Sequence, residues 1–98
     1  MTINKSEQNN CVTLALGGRL DSSTAPELDA AVDEVISTTE SMVFDFSDLI
    51  YTSSAGLRII LKAHKAMSKK GGLKLIHVSD DIKEVFDITG FLDILTVE

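Results

Sequence analysis

Thr52, Ser53 and Ser54 put three hydroxyls in a row between the apolar stretch Leu49–Tyr51 and a long apolar segment that opens at Ala55. Hydroxyls in that position can cap a helix, serve as a nucleophile, or accept a phosphate from another protein. A nucleophilic serine needs a base beside it, and the flanking residues do not form the G-x-S-x-G elbow of a hydrolase. A serine ahead of a helix is most simply a cap, worth about 1 kcal/mol over alanine. A phosphate on the same oxygen suits the place better still. First-turn amides lack intrahelical partners, and the helix dipole adds positive charge there. Ala55 and Gly56 carry no bulk behind the row, so the amides are expected to be uncovered and reachable by a modifying enzyme. Local chemistry alone favours the plain cap.

Other residues of chemical interest are scattered. Arg58, Lys62, Lys65 and Lys69 recur at i, i+4, i+7 and i+11, an exposed stripe on a helix otherwise apolar. Arg58 falls one turn from Ser54, within reach of whatever that serine does. His64 lies on the apolar side of the same segment and reads as a packed core residue; His77 sits in a strand pattern. Asp21, Asp45 and Asp48 read as separate loop and strand-end carboxylates. Gly17-Gly18 lacks the spacing of a nucleotide-binding loop. Cys11, the one cysteine, has no partner for a disulfide and falls in an apolar run, where a thiol acts as a small hydrophobe. No cofactor and no metal is expected, and no catalysis.

The elements that must hold the row follow from periodicity. Val12, Leu14 and Leu16 alternate with Cys11, Thr13 and Ala15, a strand with small residues on one face that Gly17-Gly18 is expected to close. A weaker strand over 2–7 precedes it across a turn at 7–10. Thr24 and Glu27 fit a capping box with Pro26 in the first turn, and Leu28, Ala31, Val32, Val35 and Ile36 form one helical face. Residues 41–47 form a strand with Met42, Phe44 and Phe46 on one side. The hydroxyl row then makes a strand-to-helix turn, with Ser54 at or next to the N-cap. The helix that follows ends at Gly71-Gly72. A strand over 73–79, a helix over 80–90 with Ile82, Val85, Phe86 and Thr89 on one side, and an edge strand over 93–97 complete the chain. The order β-β-α-β-α-β-α-β predicts an α/β fold with parallel strand pairs covered by helices.

At 98 residues, 44% hydrophobic and 24% charged, the chain has the composition of one globular domain spanning 1–98. The net charge of -6 argues against nucleic acid. No apolar run approaches the roughly 20 residues of a membrane span, and the first ten residues offer no secretory signal, so a cytoplasmic protein is expected.

"GRLDSSTAPEL", "VFDFSDLIYTSSAGLRIILKAHKAM" and "VFDITGFLDIL", in that order and through nearly the whole chain, resemble the STAS family of bacterial anti-sigma factor antagonists. The resemblance implies a mixed sheet of four to five strands covered by helices. It also implies that the serine two positions before the glycine, Ser54, is the phosphoacceptor. An anti-sigma factor that is also a serine kinase would modify it and a serine phosphatase would restore it. The unmodified antagonist would bind the anti-sigma factor and free a sigma factor for transcription. Asp21 and Ser22 match the loop bordering that surface, and Thr52, Ser53, Ala55, Gly56 and Arg58 complete the expected partner contacts. Many antagonists carry aspartate where this chain has Ser53, which makes Ser53 a rival acceptor. Two other readings stand beside this one: a STAS subunit that scaffolds a lipid-transport or signalling assembly without being phosphorylated, and a phosphocarrier using His64.

Overall fold

Alternation, turns and breakers assign the elements of the computed structural model, which describes residues 1–98. Strands β1 (Thr2–Gln8) and β2 (Cys11–Leu20) form an antiparallel hairpin. Its turn is only Asn9-Asn10, at φ 53° and 65°, the left-handed region that asparagine tolerates and that matches the twist of the flanking strands. Glu7 and Gln8 therefore pair with Val12 and Cys11 and lie in the strand, outside the turn. Helix α1 (Ala25–Val35), strand β3 (Ser41–Thr52), helix α2 (Ser54–Met67), strand β4 (Leu73–Ile76), helix α3 (Asp80–Thr89), a 3-10 turn over Phe91–Asp93 and strand β5 (Thr96–Val97) follow.

The sheet order is β1-β2-β3-β4-β5, and every pair after the hairpin is parallel. Each parallel step crosses through a helix and moves one strand further in the same direction. Right-handed crossovers then put all three helices on one face. Burial agrees. Val12, Leu14, Leu16, Met42, Phe44, Phe46, Leu73 and Leu75 are buried beneath the helices, whereas Cys11, Thr13, Ala15, Ser41, Val43 and Asp45 on the opposite face are only half-buried. The helices contribute Leu28, Val32 and Val35, then Leu57, Ile60, Ala63 and Met67, then Ile82 and Phe86 to the same core. The Phe46 and Phe86 rings meet at 6.4 Å.

Several expectations give way to tertiary contacts. Gly17-Gly18 does not close β2. The strand runs on to Leu20, with register shifts on either side of the pair, because β3 carries one more residue than β2 in each interval. Gly18 accommodates this at φ 89°, where a side chain would be strained. β3 in turn continues past Ser47 to Thr52. The Thr24–Glu27 capping box does not form. Thr24 Oγ1 instead donates to Arg19 O at 2.8 Å and accepts from Asp21 N at 2.9 Å. α2 ends at Met67, so Lys69 lies beyond it. Lys62 is no idle surface charge, since it bridges Asp29 (2.6 Å) and Asp33 (3.3 Å) of α1. β4 stops at Ile76, where His77 turns to φ 56°, and the final strand is reduced to Thr96–Val97.

Candidate functional site

The β3–α2 junction sorts the three hydroxyls into three environments. Thr52 pairs across the sheet with Leu20 and turns inward, 4% exposed. Ser53, in extended conformation at the N-cap, donates its N–H to Leu20 O (2.8 Å), and its carbonyl accepts the first helical hydrogen bond from Leu57 N (3.0 Å). Its Oγ is buried without a hydrogen-bond partner. Ser54 is the first residue of α2 and points to solvent. Of the two positions expected for it, Ser54 occupies the one beside the N-cap.

With no side-chain cap, the amides of Ser54, Ala55 and Gly56 have no acceptor within the chain. Three free N–H groups and the positive end of a 14-residue helix therefore gather beside one exposed hydroxyl. α3, by contrast, is capped by Ser79, whose Oγ accepts from Ile82 N at 3.3 Å.

Gly56 has a different role from the one expected. It is buried, and a Cβ there would lie 2.5 Å from Leu20 Cγ and 2.6 Å from Thr52 Oγ1. Its missing side chain lets the first turn of α2 settle onto β2 and β3; it opens no approach for a partner. Thr52 and Gly56, both expected at the partner surface, are thus closed off from one. Ala55 is half-buried against the core.

Around Ser54 the loop after β2 is well organised. The Asp21 carboxylate accepts from Ser23 Oγ (2.7 Å), Ser23 N (3.0 Å) and Thr24 N (3.2 Å). The Ser23 hydroxyl above all holds its pKa below the ordinary value; burial opposes this, and the Ser23 and Thr24 backbone N–H groups add to the lowering. Arg19 lies 3.8 Å from Asp21 and stacks its guanidinium 4.2 Å from the Tyr51 ring centroid. Ser22 and Arg58 are exposed, and Arg58 takes part in no ion pair. The structure adds residues that sequence reading missed. Ile50, 71% exposed, and Tyr51, 40% exposed, stand out from β3 immediately before the row. Consecutive apolar residues in a strand ordinarily alternate inward and outward; the β3 bulge beside Ile50 breaks that alternation, and the only sequence signal was the pair itself.

The remaining candidates do not join this site. Asp45 pairs with His77 Nδ1 at 2.9 Å and accepts from Ser47 N at 2.9 Å. Burial opposes its ionisation, but the His77 and Ser47 hydrogen bonds outweigh it and hold the carboxyl below its usual value. Asp21, Asp45 and Asp48 do not converge, and no group of three ligating side chains could hold a metal ion. His64 is half-buried on α2, with Nδ1 buried and unpartnered. The surface depressions lie around Asn9-Asn10 and around Gly71-Gly72, away from the junction.

The STAS domain profile matches residues 2–98. The chain belongs to the STAS domain family. BtrV of Bordetella bronchiseptica is 37% identical over 84 residues, 84% of this STAS domain and 72% of that protein. The anti-sigma-B factor antagonist of Bacillus subtilis is 26% identical over 98 residues, covering 99% of this chain and 90% of its own. In structure the domain is similar to SpoIIAA, an anti-sigma factor antagonist, in its unphosphorylated form (TM-score 0.78, 17% identity, 99% of this chain and 87% of that one). The phosphorylated form of SpoIIAA, from Bacillus, superposes with a TM-score of 0.77 at 18% identity, over 99% and 91% of the two chains. At that identity the likeness speaks for the fold, an α/β domain with a five-stranded mixed sheet and three helices. No helix of this domain is long and apolar enough to cross a membrane.

Proposed function

We propose that this STAS domain is a cytoplasmic anti-sigma factor antagonist switched by phosphorylation of Ser54. Unmodified, it binds an anti-sigma factor through the surface around Ser54, with Asp21, Ser22, Arg58, Ile50 and Tyr51 at the rim, and a sigma factor is released to act in transcription. The anti-sigma factor, as a serine kinase, phosphorylates Ser54, and a serine phosphatase reverses the change. The antagonist itself catalyses nothing. The reading draws on the names of the relatives and on the existence of a phosphorylated form of SpoIIAA.

One observation carries the choice of residue: Ser54 Oγ is exposed at the first position of a helix with free amides, while the neighbouring Ser53 Oγ is buried. A phosphate there adds about -1.5 to -2 charges. Within the chain the uncapped amides favour it. Across an interface the same group brings bulk, a desolvation cost and repulsion of acidic neighbours, so the partner dissociates.

Incubating the protein with its cognate anti-sigma factor and ATP, followed by peptide mapping, tests the proposal. The expected result is phosphate on Ser54, retained in Ser53→Ala, lost in Ser54→Ala, and accompanied by loss of anti-sigma factor binding. Phosphate on Ser53, or binding unaffected by phosphate on Ser54, would overturn the assignment. No transfer to either serine would favour the scaffold reading.

A further inference from the structure

We infer that Arg58 is the counter-ion of the modified site: once Ser54 carries a phosphate, the Arg58 guanidinium folds back over the first turn of α2 and pairs with it. The inference rests on the reading of Ser54 as the phosphoacceptor. Ser54 and Arg58 stand at i and i+4 on α2, and both are exposed. Helical Cα–Cβ bonds tilt toward the N-terminus, so Arg58 leans over the turn that holds Ser54. An anion followed four residues later by a cation is also the favourable order along a helix.

Availability singles out Arg58 among the nearby cations. Arg19 is already engaged by Asp21 at 3.8 Å and by the Tyr51 ring at 4.2 Å. Lys62, one turn further along α2, is held by Asp29 and Asp33. Arg58 has no carboxylate partner, and the first turn of α2 contains no acidic residue to compete for it. Its planar fork of donors matches phosphate oxygens two at a time, which a lysine does not. Phosphorylation would then change the partner-facing surface twice: it adds negative charge and withdraws the one free positive charge beside it.

Phosphoserine installed at position 54 during synthesis allows a test that needs no kinase, so its outcome is independent of whether Ser54 is the physiological acceptor. The readout is the second ionisation of the phosphate, followed by phosphorus NMR in the parent, Arg58→Gln and Arg58→Lys proteins. Asp21 and Arg19, the other charged groups bordering the turn, are unchanged throughout. A free phosphoserine titrates near pH 6. The parent is expected to titrate lower than Arg58→Gln by about 0.3 unit, the effect of an i, i+4 ion pair, with Arg58→Lys in between. Raising the salt to about 1 M should close the gap. Equal titration of parent and Arg58→Gln overturns the inference. Arg58 is exposed, so both variants retain the fold, and Arg58→Lys keeps the charge as a second check.

Discussion

Two adjacent serines with the same side chain meet opposite fates because one residue of backbone separates a strand end from a helix start. Ser53 is held by its own N–H to Leu20 and its own carbonyl to Leu57, which turns its Oγ into the packed junction. Ser54, one step on, is carried outward. Local periodicity does not show which of the two side chains turns inward, since that also depends on the contact with Leu20 of β2, more than 30 positions away. An N-cap serine ordinarily loses about 1 kcal/mol on mutation to alanine because its oxygen accepts from the first turn. Ser53 makes no such bond, and an unpaired buried hydroxyl is itself unfavourable by about 1–3 kcal/mol. Ser53→Ala is therefore expected to leave stability within about 0.5 kcal/mol of the parent or to raise it. Urea unfolding decides the point, and a loss of about 1 kcal/mol or more would mean that Ser53 caps α2 after all.

At the scale of elements, what could be read from the sequence was whatever depends on local periodicity. The alternation of Val12, Leu14 and Leu16, the helical face of Leu28, Val32 and Val35, and the Asp80–Gly90 helix with its glycine end all appear where periodicity puts them. What eluded it were features set by distant partners. The bulges let β2 run through two glycines and β3 run past Ser47; the Asp21 loop displaces the Thr24–Glu27 capping box; and Gly56 is a packing residue. Of the expected site, Ser54, Asp21, Ser22 and Arg58 lie at the surface around the junction, but Thr52 and Gly56 face the core. Gly56 also defines how α2 meets the sheet. Adding a methyl at 2.5 Å from Leu20 Cγ and 2.6 Å from Thr52 Oγ1 pushes the first turn away from both strands. Alanine has the better helix propensity by about 1 kcal/mol, yet overpacking of this kind costs about 1–3 kcal/mol. Gly56→Ala is expected to be net destabilising by about 1 kcal/mol in urea unfolding, and a net gain would show that the junction yields easily.

For the whole molecule, the layout confines the proposed switch to one end. All parallel strands point the same way, so the C-terminal ends of β2 and β3 and the start of α2 share an edge, while the hairpin turn and Gly71-Gly72 lie at the other. Below that edge α2 is anchored by Leu57, Ile60, Ala63 and Met67 in a core continuous with all three helices. A phosphate on Ser54 meets free amides, and an anion at a helix start is favourable by about 0.3–1 kcal/mol. Nothing in that balance would shift a packed core. The added charge, on a chain already at -6, is screened within about 8 Å at physiological salt and is felt by whatever docks at that edge. The protein carrying phosphoserine at 54 is therefore expected to keep the parent's fold. Amide shift changes should be confined to residues 19–24 and 50–58, and the unfolding midpoint should be equal or slightly higher. Shifts reaching β4 and α3, or a lowered midpoint, would mean instead that the modification acts by rearranging the domain, and the surface account of the switch would fail.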